Sequence, residues 1–200
     1  MKIFVIIGKS CAGKDTLMRM LLKSMTLVEN PPLEQLVPYT TRNPRNEREK
    51  TSGDYHFVTD EEMNLLISSD RFVEVRGYEI VGQGIRRYAT ILPEEFDDKN
   101  YIMIGTVEVV EALKRRGFKN VHVIHITLPE DERFHRLITR TAKTDKNYEE
   151  ACRRFLQDEE DFARVDKFMD VFTIVNNNAV ESYCRLIGYL KKELKKESAE

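Results

Sequence analysis

Ile3-Phe4-Val5-Ile6-Ile7, followed by Gly8-Lys9-Ser10-Cys11-Ala12-Gly13-Lys14-Asp15-Thr16 and then Leu17-Met18-Arg19-Met20-Leu21, is the stretch that decides how this chain folds. The first run is short, apolar and rich in β-branched residues, as a buried parallel strand requires, and the last repeats apolar residues at helical spacing. Strand, glycine loop and helix in that order make a phosphate cradle. Glycines let successive backbone N–H groups converge on one point, the helix N-terminus adds partial positive charge, and Lys14 brings an ammonium for terminal phosphates. The pattern G-x-x-x-x-G-K is complete, and its natural ligand is a nucleoside triphosphate. Ser10, Cys11, Ala12 and Thr16 belong to the same cradle. One position departs from the usual pattern: Asp15 stands where a Ser or Thr hydroxyl normally faces magnesium. Two glycines alone would suit an ordinary strand-to-helix turn; the lysine, the strand before and the helix after set this one apart.

Composition sets the frame around that loop. A length of 200 residues suits one sizeable core with a small inserted lobe, and we expect a single domain over 1–200. Lys plus Arg number 32 against 34 Asp plus Glu, a net charge of −2, which argues against general attraction to nucleic acid or to an anionic membrane. Any anion site must be built locally. Cys11, Cys152 and Cys184 are widely separated and form no C-x-x-C pair, which fits reduced thiols in a cytoplasmic protein; Cys152 falls on an apolar helical stripe and reads as core. No apolar run approaches the roughly 18 residues of a membrane span, and Ile3–Ile7 lacks the features of a signal peptide. The histidines show no metal-ligand spacing, and His122 and His125 belong to a strand or its end.

Further apolar runs suited to buried strands stand at Tyr101–Ile104, Asn120–Ile126 and Phe172–Val175, with helical stretches between them. That alternation predicts a parallel α/β sheet flanked by helices. The helices are placed from Asp15 to about Leu27, at Val107–Arg116, at Glu130–Arg140, from Tyr148 to about Arg164, and at the C-terminus. Tyr148, Cys152, Phe155 and Phe162 form one apolar stripe, and Val180, Tyr183, Ile187, Leu190 and Leu194 another; both read as core. From Leu36 to Thr90 the character changes to short β-like runs at Asp54–Val58, Arg71–Val75, Tyr78–Val81 and Arg87–Ala89, with one short helix near Asp60–Ser68. We expect a core of 1–35 and 91–200, an inserted lobe of 36–90, and a polar hinge or lid at about 141–147.

Thr40-Thr41-Arg42-Asn43-Pro44-Arg45, followed by Asp54-Tyr55-His56-Phe57-Val58, is the second constellation. Two arginines three apart can aim guanidinium forks at one phosphate, and a tyrosine hydroxyl adds another donor. With these residues the chain resembles the guanylate kinase family, whose T-T-R-x-x-R and D-Y-x-F signatures stand here almost intact. Arg71-Phe72-Val73-Glu74, Tyr88-Ala89-Thr90, Arg136-x-x-x-Arg140, Arg153-Arg154 and Ile174-Val175-Asn176-Asn177 follow in the same order, so the likeness runs from Lys2 to about Leu190. The resemblance implies a P-loop core for ATP, a lobe for the monophosphate acceptor, a closing lid, and the reaction of ATP with GMP or dGMP in the presence of Mg2+. Carried over by position, it implies that Gly8, Gly13 and Lys14 hold ATP phosphates, that Arg42, Arg45, Tyr55 and Tyr88 hold the acceptor phosphate, and that Glu74 and Thr90 face guanine. It further implies that Arg136, Arg140 and Arg154 approach the phosphates on closure and that Asn176 lies near adenine. We assign Glu49 as the carboxylate supporting the acceptor arginines.

The chain also departs from that family. Neither aspartate of its strand-end L-D-I-D stretch is present in Ile102–Glu108, where Thr106 stands in the region of the guanine amino group, and the serine donor for the base oxygen is replaced by Pro38. Asp15 is our candidate for a magnesium-directed carboxylate, although an acid also suits the first turn of a helix for its own sake. Glu74 favours guanine, which offers a ring N–H and an amino group side by side, over adenine, which presents a ring acceptor. Three readings therefore stand: a GMP kinase, a kinase of the same fold with another phosphorylated acceptor, and a non-catalytic protein-binding module. Arg136, four residues after Glu132, equally suits a surface ion pair.

Overall fold

In the computed structural model the described residues are 1–24, 33–44, 47–80, 84–93, 99–144, 146–165 and 170–196. The opening apolar run forms β1 (Ile3–Ile7), buried at every position, and pairs in parallel with β7 (Asn100–Ile104) on one side and β8 (Val121–Thr127) on the other. With β2 (Leu33–Gln35) and β9 (Val171–Val175) at the edges, these make a five-stranded sheet of order β2-β7-β1-β8-β9 whose pairings are all parallel. The two-residue period of a strand divides β1 between two cores. Ile3, Val5 and Ile7 pack with Val109, Val110 and Leu113 of α4 (Val107–Arg115). Phe4 and Ile6 pack with Leu17 and Leu21 of α1 (Lys14–Lys23) and with Leu186, Leu190 and Leu194 of α7 (Ala179–Lys195).

The inserted stretch builds a second, four-stranded sheet of order β4-β3-β6-β5 from β3 (Tyr39–Thr40), β4 (His56–Phe57), β5 (Phe72–Ile80) and β6 (Gly84–Ile91). Helix α2 (Glu47–Thr51) precedes β4, and α3 (Asp60–Ile67) packs Met63 on Ala89 and Ile91. Thr59 and Glu62 close a reciprocal capping box on α3, each side chain bonded to the other's backbone N–H. The helical hairpin of α5 (Glu130–Lys143) and α6 (Tyr148–Phe162) completes the order.

Several expectations are corrected. Helix α1 ends at Lys23, capped by Ser24, whose N–H and hydroxyl both bond to Leu21 O; residues 25–27, where a longer helix was expected, lie outside the described residues. The runs expected at Arg71–Val75 and Tyr78–Val81 fall on one strand as far as Ile80, because β6 pairs with β5 from Phe72 through Ile80 with no break at Arg76-Gly77; Val81 lies outside the described residues. Cys152 is exposed and Tyr148 is 45% exposed, so of the apolar stripe expected on α6 only Phe162 belongs to the core. That helix turns a polar stripe, Glu150, Arg154 and Asp158, toward the cavities of the molecule, while Phe155 is occupied by the Arg133 guanidinium, 3.8 Å from its ring centre, and by Phe134. In α7 the core positions are Leu186, Leu190 and Leu194, with Tyr183 and Ile187 packed at the margin; Val180 is 63% exposed. The polar segment at 141–147 begins inside α5, with Thr141 buried, and Asn147 caps α6 through Glu150 N.

Between β1 and α1 the chain passes against the end of β8. A Cβ at Gly8 would lie 2.3 Å from the backbone oxygen of Ile126, an atom that cannot move without disturbing the sheet. Gly8→Ala should therefore cost about 1–3 kcal/mol, read as a lower urea midpoint with an unchanged slope.

Candidate active site

The loop after β1 is held from behind. Gly13, with φ 98°, is the N-cap of α1, and a Cβ there would meet Asn176 Nδ2 at 2.2 Å. Asn176 is buried; its amide donates to Ala12 O at 2.8 Å, and its own N–H to Thr127 O. Its side chain thus braces the loop from within and lines neither cavity described below. Cys11 takes φ 65°, and burial raises its thiol pKa. Lys14 folds back over the loop, donating to Gly8 O at 2.5 Å and Lys9 O at 3.1 Å, and burial lowers its pKa. Asp15 and Thr16 are exposed at the first turn of α1.

Carboxylates from α5 and α6 grip the same loop. Asp158 accepts from Ser10 N at 2.8 Å and from its hydroxyl at 3.2 Å, while Lys9 Nζ reaches Glu130 and Glu159 at 2.8 and 2.5 Å. Arg133, almost fully buried, bonds to Glu130, Asp158 and Glu159 together. Burial raises the pKa of Asp158 despite these donors.

On the lobe, Arg42 is buried, with four of its five guanidinium N–H groups engaged. Its Nη1 and Nη2 meet the two oxygens of Glu49 at 2.9 Å each, Nη1 also reaches Asn43 O, and Nε donates to Tyr88 Oη at 3.1 Å. The planar fork matches a carboxylate bidentately, which fixes the guanidinium beneath Tyr55 and Tyr88. Glu49 is thus the partner expected for the arginine; Glu47 pairs with Lys50 instead. Arg45 lies outside the described residues.

One cavity, of about 230 Å³, is lined by Pro38, Tyr55, Tyr78, Tyr88, Thr90, Thr106 and Arg76. Directly behind the Arg76 and Thr90 of that wall, the buried Glu74 carboxylate accepts from Thr90 Oγ1 at 3.0 Å and from Arg76 Nε at 2.8 Å, and Arg76 Nη1 reaches Thr106 Oγ1 at 2.8 Å. Arg76 and Tyr78 were not among the expected site residues. The signal was available: with Glu74 they occupy alternate positions of one strand, hence one face, and β6 sets Thr90 opposite Glu74 and Tyr88 opposite Arg76.

A second cavity, of about 590 Å³, runs from Gly13, Lys14, Asp15 and Thr16 to Arg136, Arg140 and Arg154. The two share Ser10, Lys14, Tyr55, Ile104 and Arg154 in their walls, so they meet beside the lysine. Arg136 pairs with Glu132 at 3.0 Å and reaches Asn176 O at 3.5 Å. Arg153 and Arg154 share Glu150, at 2.8 and 2.6 Å. Burial works to raise the pKa of Glu150, but the hydrogen bonds and charge of the two arginines prevail and hold it at about 2, below the ordinary 4.5.

A family model described as guanylate kinase matches residues 1–193 of this chain. Over 186 residues the chain is 29% identical to the guanylate kinase of Campylobacter jejuni (strain RM1221), which takes in 90% of this chain and 83% of that protein. A shorter stretch of 74 residues is 43% identical to the guanylate kinase of Schizosaccharomyces pombe, 37% of this chain and 34% of that one. The crystal structure of guanylate kinase from Anaplasma phagocytophilum is similar in fold, with a TM-score of 0.68 at 20% identity over 96% of this chain and 86% of that one.

Because the folded pKa of Glu150 is depressed, its contribution to stability is complete above about 4.5 and is lost as pH falls through about 2. Glu150→Gln should cost about 1–2 kcal/mol at neutral pH. The gap between the urea midpoints of variant and parent should narrow as pH falls from 4.5 toward 2.

Proposed function

This chain belongs to the guanylate kinase family, and we infer that it transfers the γ-phosphoryl group of ATP to GMP, giving ADP and GDP. The observation that carries the residue assignments is the meeting of two cavities at Lys14: one opens from the glycine loop, the other is walled by three tyrosines and by Arg76 and Thr90, which hold Glu74 behind them. Donor and acceptor bound in the two would bring their phosphates together between Ser10, Tyr55 and Arg154. Phosphoryl transfer needs alignment and positive charge around the equatorial oxygens more than covalent help.

In this reading the converging N–H groups of residues 8–16 cradle the ATP phosphates, and Lys14 leaves the carbonyls of Gly8 and Lys9 to meet them. Tyr55 and Tyr88, backed by Arg42, hold the acceptor phosphate, with Arg45 as a further donor. Arg136, Arg140 and Arg154 close on the transferring group from the α5–α6 hairpin. The acceptor phosphate is itself the nucleophile and is largely ionised at neutral pH, so no general base is assigned. Glu74, held by Thr90 and by the Arg76 that Thr106 anchors, accepts the donors of guanine, and dGMP is an equally suitable acceptor for residues that read the base and phosphate alone.

Magnesium fits this site in one way. Asp15 is an exposed carboxylate in the wall of the loop-side cavity, and the described residues contain no group of His, Cys, Asp or Glu able to cage an ion. That suits an ion held chiefly by phosphate oxygens and water with one carboxylate nearby. When bound, magnesium would supply positive charge to the phosphate oxygens, with Asp15 the carboxylate placed to face it. The lobe at 36–90 is our acceptor domain, 1–35 and 91–200 the core, and about 141–147 the lid. No described helix is long and apolar enough to cross a membrane, and we take the cytoplasm as the setting.

Two measurements test the assignment. ADP formation from ATP and magnesium should be rapid with GMP or dGMP and slow with AMP, CMP or UMP; turnover with another acceptor and none with GMP would overturn the guanine reading. Lys14→Ala should lower kcat by about 10²–10³ while leaving the folded circular-dichroism signal in place, and turnover within a few-fold of the parent would remove Lys14 from the mechanism.

A further inference from the structure

Guanine carries acceptors, O6 and N7, on one edge and donors, N1–H and the 2-amino group, on another. A pocket that reads it from both directions must offer an anion and a donor side by side. In the cavity whose wall residues Arg76 and Thr90 hold the Glu74 carboxylate, Pro38 offers no donor. Arg76 does. A guanidinium has five N–H donors. The single hydrogen of Nε goes to Glu74, and Nη1 serves Tyr78 Oη at 3.1 Å and Thr106 Oγ1 at 2.8 Å. Nη2 donates to no described residue, and Arg76 lines the cavity. Glu74 in turn has received one hydrogen bond on each oxygen, from Thr90 and Arg76, which leaves each oxygen a lone pair to accept another.

We propose that Arg76 is a specificity-determining residue: its Nη2 donates to guanine O6 while the Glu74 carboxylate it holds accepts from N1–H and the 2-amino group. The inference rests on the guanine reading of this cavity. The pair is preorganised, since both side chains are largely buried, 18% and 9% exposed, and four hydrogen bonds hold them to Thr90, Thr106, Tyr78 and each other. It also rejects adenine twice. The 6-amino group of adenine faces a guanidinium that can only donate, and its N1 lone pair faces a carboxylate that can only accept.

The test compares kcat/KM for GMP, 6-thio-GMP and IMP in the parent and in Arg76→Met. 6-Thio-GMP keeps N1–H and the amino group but has sulfur, a poor acceptor, at position 6; IMP keeps O6 and lacks the amino group. Arg76→Met should lower kcat/KM for GMP by about 10–100-fold, the range for a hydrogen bond to a charged group. It should bring the GMP to 6-thio-GMP ratio close to one and preserve the GMP to IMP ratio, which reports Glu74. An unchanged GMP to 6-thio-GMP ratio, whatever the overall loss, would overturn the contact and leave Arg76 as a support for Glu74. Should Arg76→Met fail to fold, Arg76→Lys keeps a cation beside Glu74 without the fork, and the same collapse of the sulfur ratio is expected. A parent enzyme inert toward GMP would overturn the guanine reading and this inference with it; a parent active on GMP with an unmoved sulfur ratio would overturn this inference alone.

Discussion

The architecture depends on how closely the first loop passes the ends of β8 and β9. Gly8 lies against the carbonyl of Ile126 and Gly13 against the amide of Asn176, at separations where no side chain can stand. Such an approach is possible because β1 is the central strand, locked in register to β7 and β8 and buried on both faces, so its last residue delivers the chain to one fixed point. From there the loop has a single course: over the carboxyl ends of the parallel strands and into α1. Open α/β sheets place their ligands at this edge for the same reason, since loops and helix N-termini converge there.

The loop is also the place where opposing charges are concentrated. Asp158, Glu130 and Glu159 approach it from the α5–α6 hairpin, a costly arrangement beside a site for polyanions unless the carboxylates are neutralised. Arg133 does so from within the protein, bonded to all three and stacked on Phe155, while Lys9 bridges the outer two. The hairpin is thereby tied to the loop by charge more than by apolar packing, which explains why its inward stripe reads Glu150, Arg154, Asp158 and not Leu or Val. Ser10 and Lys14 remain in the walls where the two cavities meet.

Much of this was legible in the sequence, and the parts that were not share a cause. The glycine loop, the alternation of buried strands with amphipathic helices, and the Thr-Thr-Arg and Asp-Tyr stretches are local patterns, and each lies where its spacing predicts. Glu49 could not be separated from Glu47 by spacing alone, since only the turn of α2 decides which carboxylate meets Arg42. Cys152 was misread because periodicity reports that a helix has an apolar stripe, not how much of that stripe faces inward; here only its last member, Phe162, does. Asn176 was expected near adenine; its bracing bond to Ala12 O, behind the glycine loop, leaves no trace in the sequence, because the partner is a backbone carbonyl 164 residues away. Arg76 was passed over because its partners, Glu74 and Thr106, come from separate elements, although strand alternation already set it on the face of Glu74.

The lobe joins the rest of the molecule at a well-defined root. Leu36, Val73 and Leu92 belong to the main core together with β1 and α4, whereas Met63, Ala89 and Ile91 form a small core of the lobe's own. Mechanically, that root is a fulcrum and β5 is the arm. Glu74 sits one residue from the fulcrum; Glu79 lies about 20 Å along the arm at the rise of an extended chain. Any rotation about the root sweeps the far end through a wide arc and leaves Glu74 almost where it was. In the function proposed above, base recognition is thereby separated from closure, with Glu74 at the pivot and the closing parts at the rim.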